Sequence, residues 1–174
     1  MTNELDQFVA RYISMHEDAL ITTYDANWPS QCYTERKDDG EEVQWKPVLQ
    51  NDGNVFTNVE EALNITLNKA YCDFFTRYYS HNLPAVAPRG NCELLQAWNK
   101  DDFERLQQNT IGHLMMKARL KQAPTLFFAV TDEEDFILSI LNSTGEVVLE
   151  QVGQPPKEII APDLSTFISG LTPR

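Results

Sequence analysis

Apolar side chains recur along this chain in two rhythms, and the change between them marks where helices give way to strands. Leu5, Phe8, Val9, Tyr12 and Ile13, with His16, fall three and four residues apart, the spacing that gathers side chains on one face of a helix. That helix is expected to end near Ala19 or Leu20 and to cover one side of the core. Residues 22–42 carry Pro29, Gly40 and a dense run of charge (Glu35, Arg36, Lys37, Asp38, Asp39, Glu41, Glu42), which reads as a long exposed loop. From Val43 to Val48 apolar and polar positions alternate around Trp45, as in a half-buried strand, with Pro47 at its edge or end.

Helical spacing returns over residues 56–79, where Val59, Leu63, Leu67, Tyr71, Phe74, Phe75 and Tyr78 form a stripe. Thr57 with Glu60 three residues later has the form of a capping box, so this stretch is read as one long core helix. Pro84, Pro88 and Gly90 interrupt the pattern, and a short strand is expected over 92–98. Asn99, Asp101 and Asp102 then open another helix, since a capping side chain and early carboxylates satisfy and complement its first turn. Phe103, Leu106, Leu114 and Ala118 make its apolar stripe. Gly112 inside it costs about 1 kcal/mol against alanine, and is read as permitting close packing.

Strand rhythm dominates the remainder, over residues 125–130, 136–141 and 146–152, with Asn142, Ser143, Thr144 and Gly145 turning the last two into an antiparallel hairpin. Residues 158–161 add a strand after Pro155 and Pro156. Leu164, Phe167, Ile168 and Leu171 then mark a closing helix that begins at Asp163. Helices early and strands late imply an α+β fold, mainly antiparallel sheet flanked by helices, rather than an alternating parallel one. At 174 residues the chain fits one domain, residues 1–174, large enough to bury a core.

Charge narrows the partners. Fourteen Lys and Arg stand against 26 Asp and Glu, a formal net charge of −12, so phosphate backbones and anionic lipid repel this surface while basic protein segments complement it. Nucleic-acid binding and direct lipid insertion are therefore not expected. The N-terminal stretch lacks the basic start and apolar core of a secretory signal, and no run of about 18 apolar residues occurs. Cys32, Cys72 and Cys92 are an odd number without a C-x-x-C pair, which suits reduced thiols in a reducing compartment. Cys72 is expected to face the core.

Motifs for catalysis are missing. The seven glycines are dispersed and form no phosphate cradle. His81 lies nine residues from Cys72 and eleven from Cys92, not in the paired spacing of a zinc site, and no cofactor or metal is expected. A thiol and an imidazole could be paired from Cys72 or Cys92 with His81 or His113, but spacing does not bring them together, and His113 reads as a helix residue with a local hydrogen-bond partner. Lys117, Arg119 and Lys121 read as cations complementing the end of a helix dipole. Trp45 and Trp98 read as core.

Carboxylates are left as the candidate working groups, concentrated in 38–42, at Glu60 and Glu61, at Asp101, Asp102 and Glu104, and in the run Asp132, Glu133, Glu134, Asp135. Helix starts account for some, because negative charge in a first turn is worth roughly 0.3–1 kcal/mol. Their sum is a field able to attract a basic partner.

One resemblance gives that partner an identity. The stretch LLQAWNKDDFERLQQNTIGHLMMKARLKQAPTLFF from Leu94, the stretch ILSILNSTGEVVLEQVG from Ile137, the tail LSTFISGL and the segment EEVQWKPV from Glu41 resemble the Syd family of SecY-interacting proteins, across most of the chain and least in residues 20–40. The resemblance implies a SUKH-type α+β domain. It implies a non-enzymatic protein, cytoplasmic and peripheral on the inner membrane, which binds cytosolic loops of the SecY channel through a negatively charged concave surface and monitors or regulates the assembled SecYEG complex. No short motif transfers the contact residues, and Glu60, Glu61, Asp101, Asp102, Glu104, Glu133 and Glu134 are the candidates. The alternative, drawn from other SUKH-type domains, is an immunity protein that neutralises a basic toxin.

Overall fold

A computed structural model describes residues 2–174. The fold is α+β: a seven-stranded, wholly antiparallel sheet in the order β10-β9-β8-β7-β6-β5-β11, flanked by helices, with two small two-stranded sheets beside it. One continuous cluster of buried apolar side chains runs from Leu5 to Leu171.

The opening helix α1 (Thr2–His16) buries Leu5, Phe8, Val9 and Tyr12 as its spacing demands. It ends before the expected Ala19, because Asp18 turns the backbone to a φ of 41°, a left-handed conformation that cannot continue the helix. Residues 22–42 are not simply an exposed loop. β1 (Ile21–Thr23) pairs with β2 (Glu42–Gln44), and between them Cys32 is buried while Tyr33 bridges to Trp45. The strand expected over 43–48 is split in two. β2 stops at Gln44, and after Pro47 the chain enters β3 (Val48–Leu49), which pairs with β4 (Tyr78–Tyr79) in a different sheet. A proline lacks the N–H a ladder needs.

The single core helix over 56–79 is two helices, α2 (Thr57–Leu63) and α3 (Lys69–Arg77). Asn64 takes a left-handed conformation (φ 50°) as the C-cap of α2, and the side chain of Asn68 accepts from the Ala70 amide to start α3. The capping box is not formed: the N-cap of α2 is Phe56 with no side-chain bond, and Glu60 accepts instead from the Leu67 amide at 2.9 Å. The break is fastened from outside. Asn142 in the β8–β9 turn donates to the Thr66 carbonyl and accepts from the Asn68 amide, pinning the interhelix segment to the sheet.

Two strands flank a turn where only breakers were legible: β5 (Leu83–Ala87) and β6 (Gly90–Leu94) form a hairpin, and β6 ends before the expected Trp98. α4 (Lys100–Arg119) opens as expected, the Asn99 side chain accepting from the Asp102 amide. Its stripe differs. Ala118 is exposed while Lys117 is buried. Gly112 faces open space, with nothing within 4 Å of where a Cβ would stand, so close packing does not explain it. β7 (Thr125–Thr131), β8 (Phe136–Leu141), β9 (Val147–Gln151) and β10 (Pro156–Ala161) follow the expected strands closely. α5 (Leu164–Ser169) is capped by Asp163, which accepts from the Thr166 amide, and β11 (Thr172–Pro173) closes the sheet against β5.

Side-chain alternation gives the sheet two unlike faces. On one, Phe128 meets Phe74 of α3 and Phe167 of α5 edge-on, within the main core. On the other lies the second half of α4, where His113 meets Phe127 and bonds the Thr125 hydroxyl. There Lys117 and Glu150, both fully buried, form a close ion pair of 2.5 Å. Lys117 also donates to the Gln122 side chain and the Gln154 carbonyl, each at 3.0 Å.

Candidate functional site

The face that packs on α3 and α5 is not covered along its whole length. Towards the β7–β8 turn it opens into a groove of about 690 Å³, floored by Phe136, Leu138, Leu149 and Ile160 and walled by Phe167 and Thr166 of α5. Register explains why these residues meet: Leu138 is opposite Leu149, which is opposite Glu158, while Cys92 is opposite Thr131. Antiparallel partners project to the same side of a sheet.

The groove is concave because the sheet curls. Arg89, in the β5–β6 turn, forms an ion pair with Glu158 on β10, yet β6 and β10 are separated by three strands. Four steps of inter-strand spacing make about 19 Å across a flat sheet, more than two side chains can bridge. The pair therefore ties the two rims of a curled sheet. The Arg89 guanidinium holds the Glu158 carboxyl below the usual carboxylate range. Lys157 sits over the Phe136 ring at 5.1 Å. Asp132 and Glu133 complete the rim; both are exposed and, among the described residues, form no ion pair.

The candidate carboxylates fall into two settings. Glu133 and Glu134 lie exposed in the β7–β8 turn, and Glu133 reaches the groove. Glu60 and Glu61 are on α2 and Asp101, Asp102 and Glu104 open α4, two helices joined by the Asn58–Gln107 hydrogen bonds and the Phe56–Phe103 ring contact. Structural work occupies two of these: Glu60 accepts from Leu67, and Asp102 accepts from the Trp98 amide at 2.8 Å. Glu61, Asp101 and Glu104 are exposed. Arg89, Glu158 and the apolar floor had no local signal in the sequence, since only the curl brings them together. The alternation of Phe136, Leu138 and Ile140 gave their common face, but not that part of it would stay open.

Nucleophilic chemistry has little support. Burial pushes the Cys32 and Cys92 thiols up to about 11 and the Cys72 thiol up to about 12, so none is a thiolate near neutral pH. His81 stacks on Trp98 and contacts the Thr22 hydroxyl, and His113 contacts Thr125. Burial lowers both imidazoles. Cys72 is only partly buried, packed against the core edge, whereas Cys32 and Cys92 are buried. Trp45 and Trp98 are core. Among the described residues no group of three or more His, Cys, Asp or Glu is placed to hold a metal ion.

A family profile described as Syd protein (SUKH-2) matches residues 2–173. The chain belongs to the Syd family. It is 56% identical over 171 residues to Protein Syd of Alteromonas mediterranea, covering 98% of this chain and 94% of that protein. Protein Syd of Pseudoalteromonas atlantica is 46% identical over 178 residues, with 99% and 96% covered, and that of Pectobacterium carotovorum subsp. carotovorum 37% over 177 residues, again 99% and 96%. Because the match runs nearly end to end, the groove, the acidic turn and the α2–α4 pair all lie inside the region that defines the Syd family.

Proposed function

We propose that this chain is a non-enzymatic binding protein that docks, as one domain, on the basic cytosolic loops of the SecY channel and monitors or regulates the assembled SecYEG complex. The observation that carries this reading is the excess of carboxylates, a net charge of −12, in a chain of the Syd family. Cytoplasmic loops of membrane proteins carry excess Lys and Arg, so an acidic surface recognises them where anionic lipid alone repels it. The proposed contacts are Glu133 and Glu134 beside the groove and Glu60, Glu61, Asp101, Asp102 and Glu104 on the helix pair. The protein works from the cytoplasm as a peripheral partner of the inner membrane, the side on which the proposed SecY loops lie; no helix among the described residues is long and apolar enough to cross a membrane. It needs no cofactor and no nucleic acid.

Sedimentation tests this directly. The protein should co-sediment with SecYEG proteoliposomes and not with protein-free anionic liposomes. Equal recovery on both would defeat the proposal, and tight capture of a basic toxin in solution without SecYEG binding would favour the immunity alternative.

A further inference from the structure

The groove offers more than charge. Its floor is apolar and only partly covered: Leu138 is buried in the core, while Phe136, Leu149 and Ile160 are half-buried on the same sheet face that elsewhere is filled by Phe74 and Phe167. Its rim carries three carboxylates, Asp132, Glu133 and Glu158, against two cations, Arg89 paired with Glu158 and Lys157 over the Phe136 ring. An apolar floor beneath a net negative rim suits a ligand that is apolar at one point and cationic beside it.

We infer that the groove seats one bulky apolar side chain from a basic peptide segment, between Leu149, Ile160 and Phe167, while neighbouring Lys or Arg side chains reach Asp132 and Glu133. This rests on the proposal that the partner is a basic protein loop, and adds what selects among such loops. Charge alone would accept any lysine-rich segment. An aliphatic or aromatic anchor removed from water supplies the discrimination. The volume of about 690 Å³ accommodates such a side chain with the peptide backbone at the mouth. The outer edge of β10 is a poorer docking place, because Pro156 and the two register shifts in its pairing with β9 make the strand irregular.

Two short lysine-rich peptides, alike except for Leu or Ser at the central position, provide the test. Fluorescence anisotropy should give the Leu peptide at least about tenfold higher affinity, as burying a leucine side chain implies. Thr166→Trp, which fills the groove from an exposed position of α5, should abolish that preference, as should Ile160→Ser. Asp132→Asn with Glu133→Gln should weaken both peptides alike. Methyl shifts in the protein as it exists should centre on Leu149 and Ile160. Equal affinities, no binding of either peptide, a preference that survives both groove variants, or shifts centred elsewhere would overturn the inference. SecYEG capture that persists without any leucine preference sinks the anchor alone, whereas a leucine preference without SecYEG capture sinks the choice of partner alone.

Discussion

Burial lowers the His113 imidazole in the folded protein, with Lys117 adding to the effect and Glu150 opposing it. Burial lowers His81 too, against the pull of Asp102. An unfolded histidine takes a proton near pH 6.5, so as the pH falls the unfolded chain binds protons before the folded one does. Stability from these two residues is therefore complete above about pH 6.5 and is lost as the pH drops through their lowered folded values. Urea unfolding should give a decreasing free energy from pH 7 to pH 5. His113→Gln, which keeps a hydrogen-bonding group near Thr125, should flatten that slope. Parallel pH profiles for the parent and the variant would refute this account. The same residue shows what a sequence can reveal: a polar ring among apolar helix positions signals a local partner, but not that the partner is a threonine twelve residues on.

Whole elements are held by polar contacts the sequence does not advertise. Lys117 and Glu150 tie the end of α4 to β9, fully out of water. Apart from that ion pair, the Glu150 carboxylate has no hydrogen-bond partner among the described residues. Removing one partner of such a pair strands a buried charge, and Lys117→Met should cost about 3–5 kcal/mol. The double variant Lys117→Met with Glu150→Leu should recover most of that loss, since an apolar pair of similar volume is often neutral or better. Denaturant midpoints of the parent and the two variants check it, and a double variant no better than the single would mean that α4 depends on the charge itself. Lys117 was legible only as a cation in a last helical turn, because that explanation is available for every such lysine. The α2–α3 break was hidden for a related reason. Apolar spacing from Val59 to Phe75 continues across it, and Asn64 and Asn68 look like ordinary polar positions of one helix until Asn142 reaches over from the sheet. By contrast α4 and β7 to β9 were legible because their signals, an Asn99 cap and short apolar runs around the Asn142–Gly145 turn, are local.

At the scale of the molecule, curl and charge act together, and only the charge could be read from composition. If the exposed carboxylates steer a basic partner, their reach is the Debye length, about 8 Å at physiological ionic strength, and binding to SecYEG should weaken as salt rises. Changing Asp132, Glu133, Glu134 and Asp135 to their amides, and separately Asp101, Asp102 and Glu104, should slow association more than it speeds dissociation, since rim charges mainly guide encounter. The two sets differ in cleanliness. Asp102 accepts from the Trp98 amide and stands in the first turn of α4, so its set should also lose stability, up to about 1 kcal/mol from the dipole effect. The turn set consists of exposed side chains and should leave the unfolding midpoint nearly unchanged. Surface plasmon resonance on immobilised SecYEG, run from low to high salt, decides the matter. Association rates that ignore both salt and the turn substitutions would mean that the acidity serves solubility and that recognition depends on the shape and apolar floor of the groove.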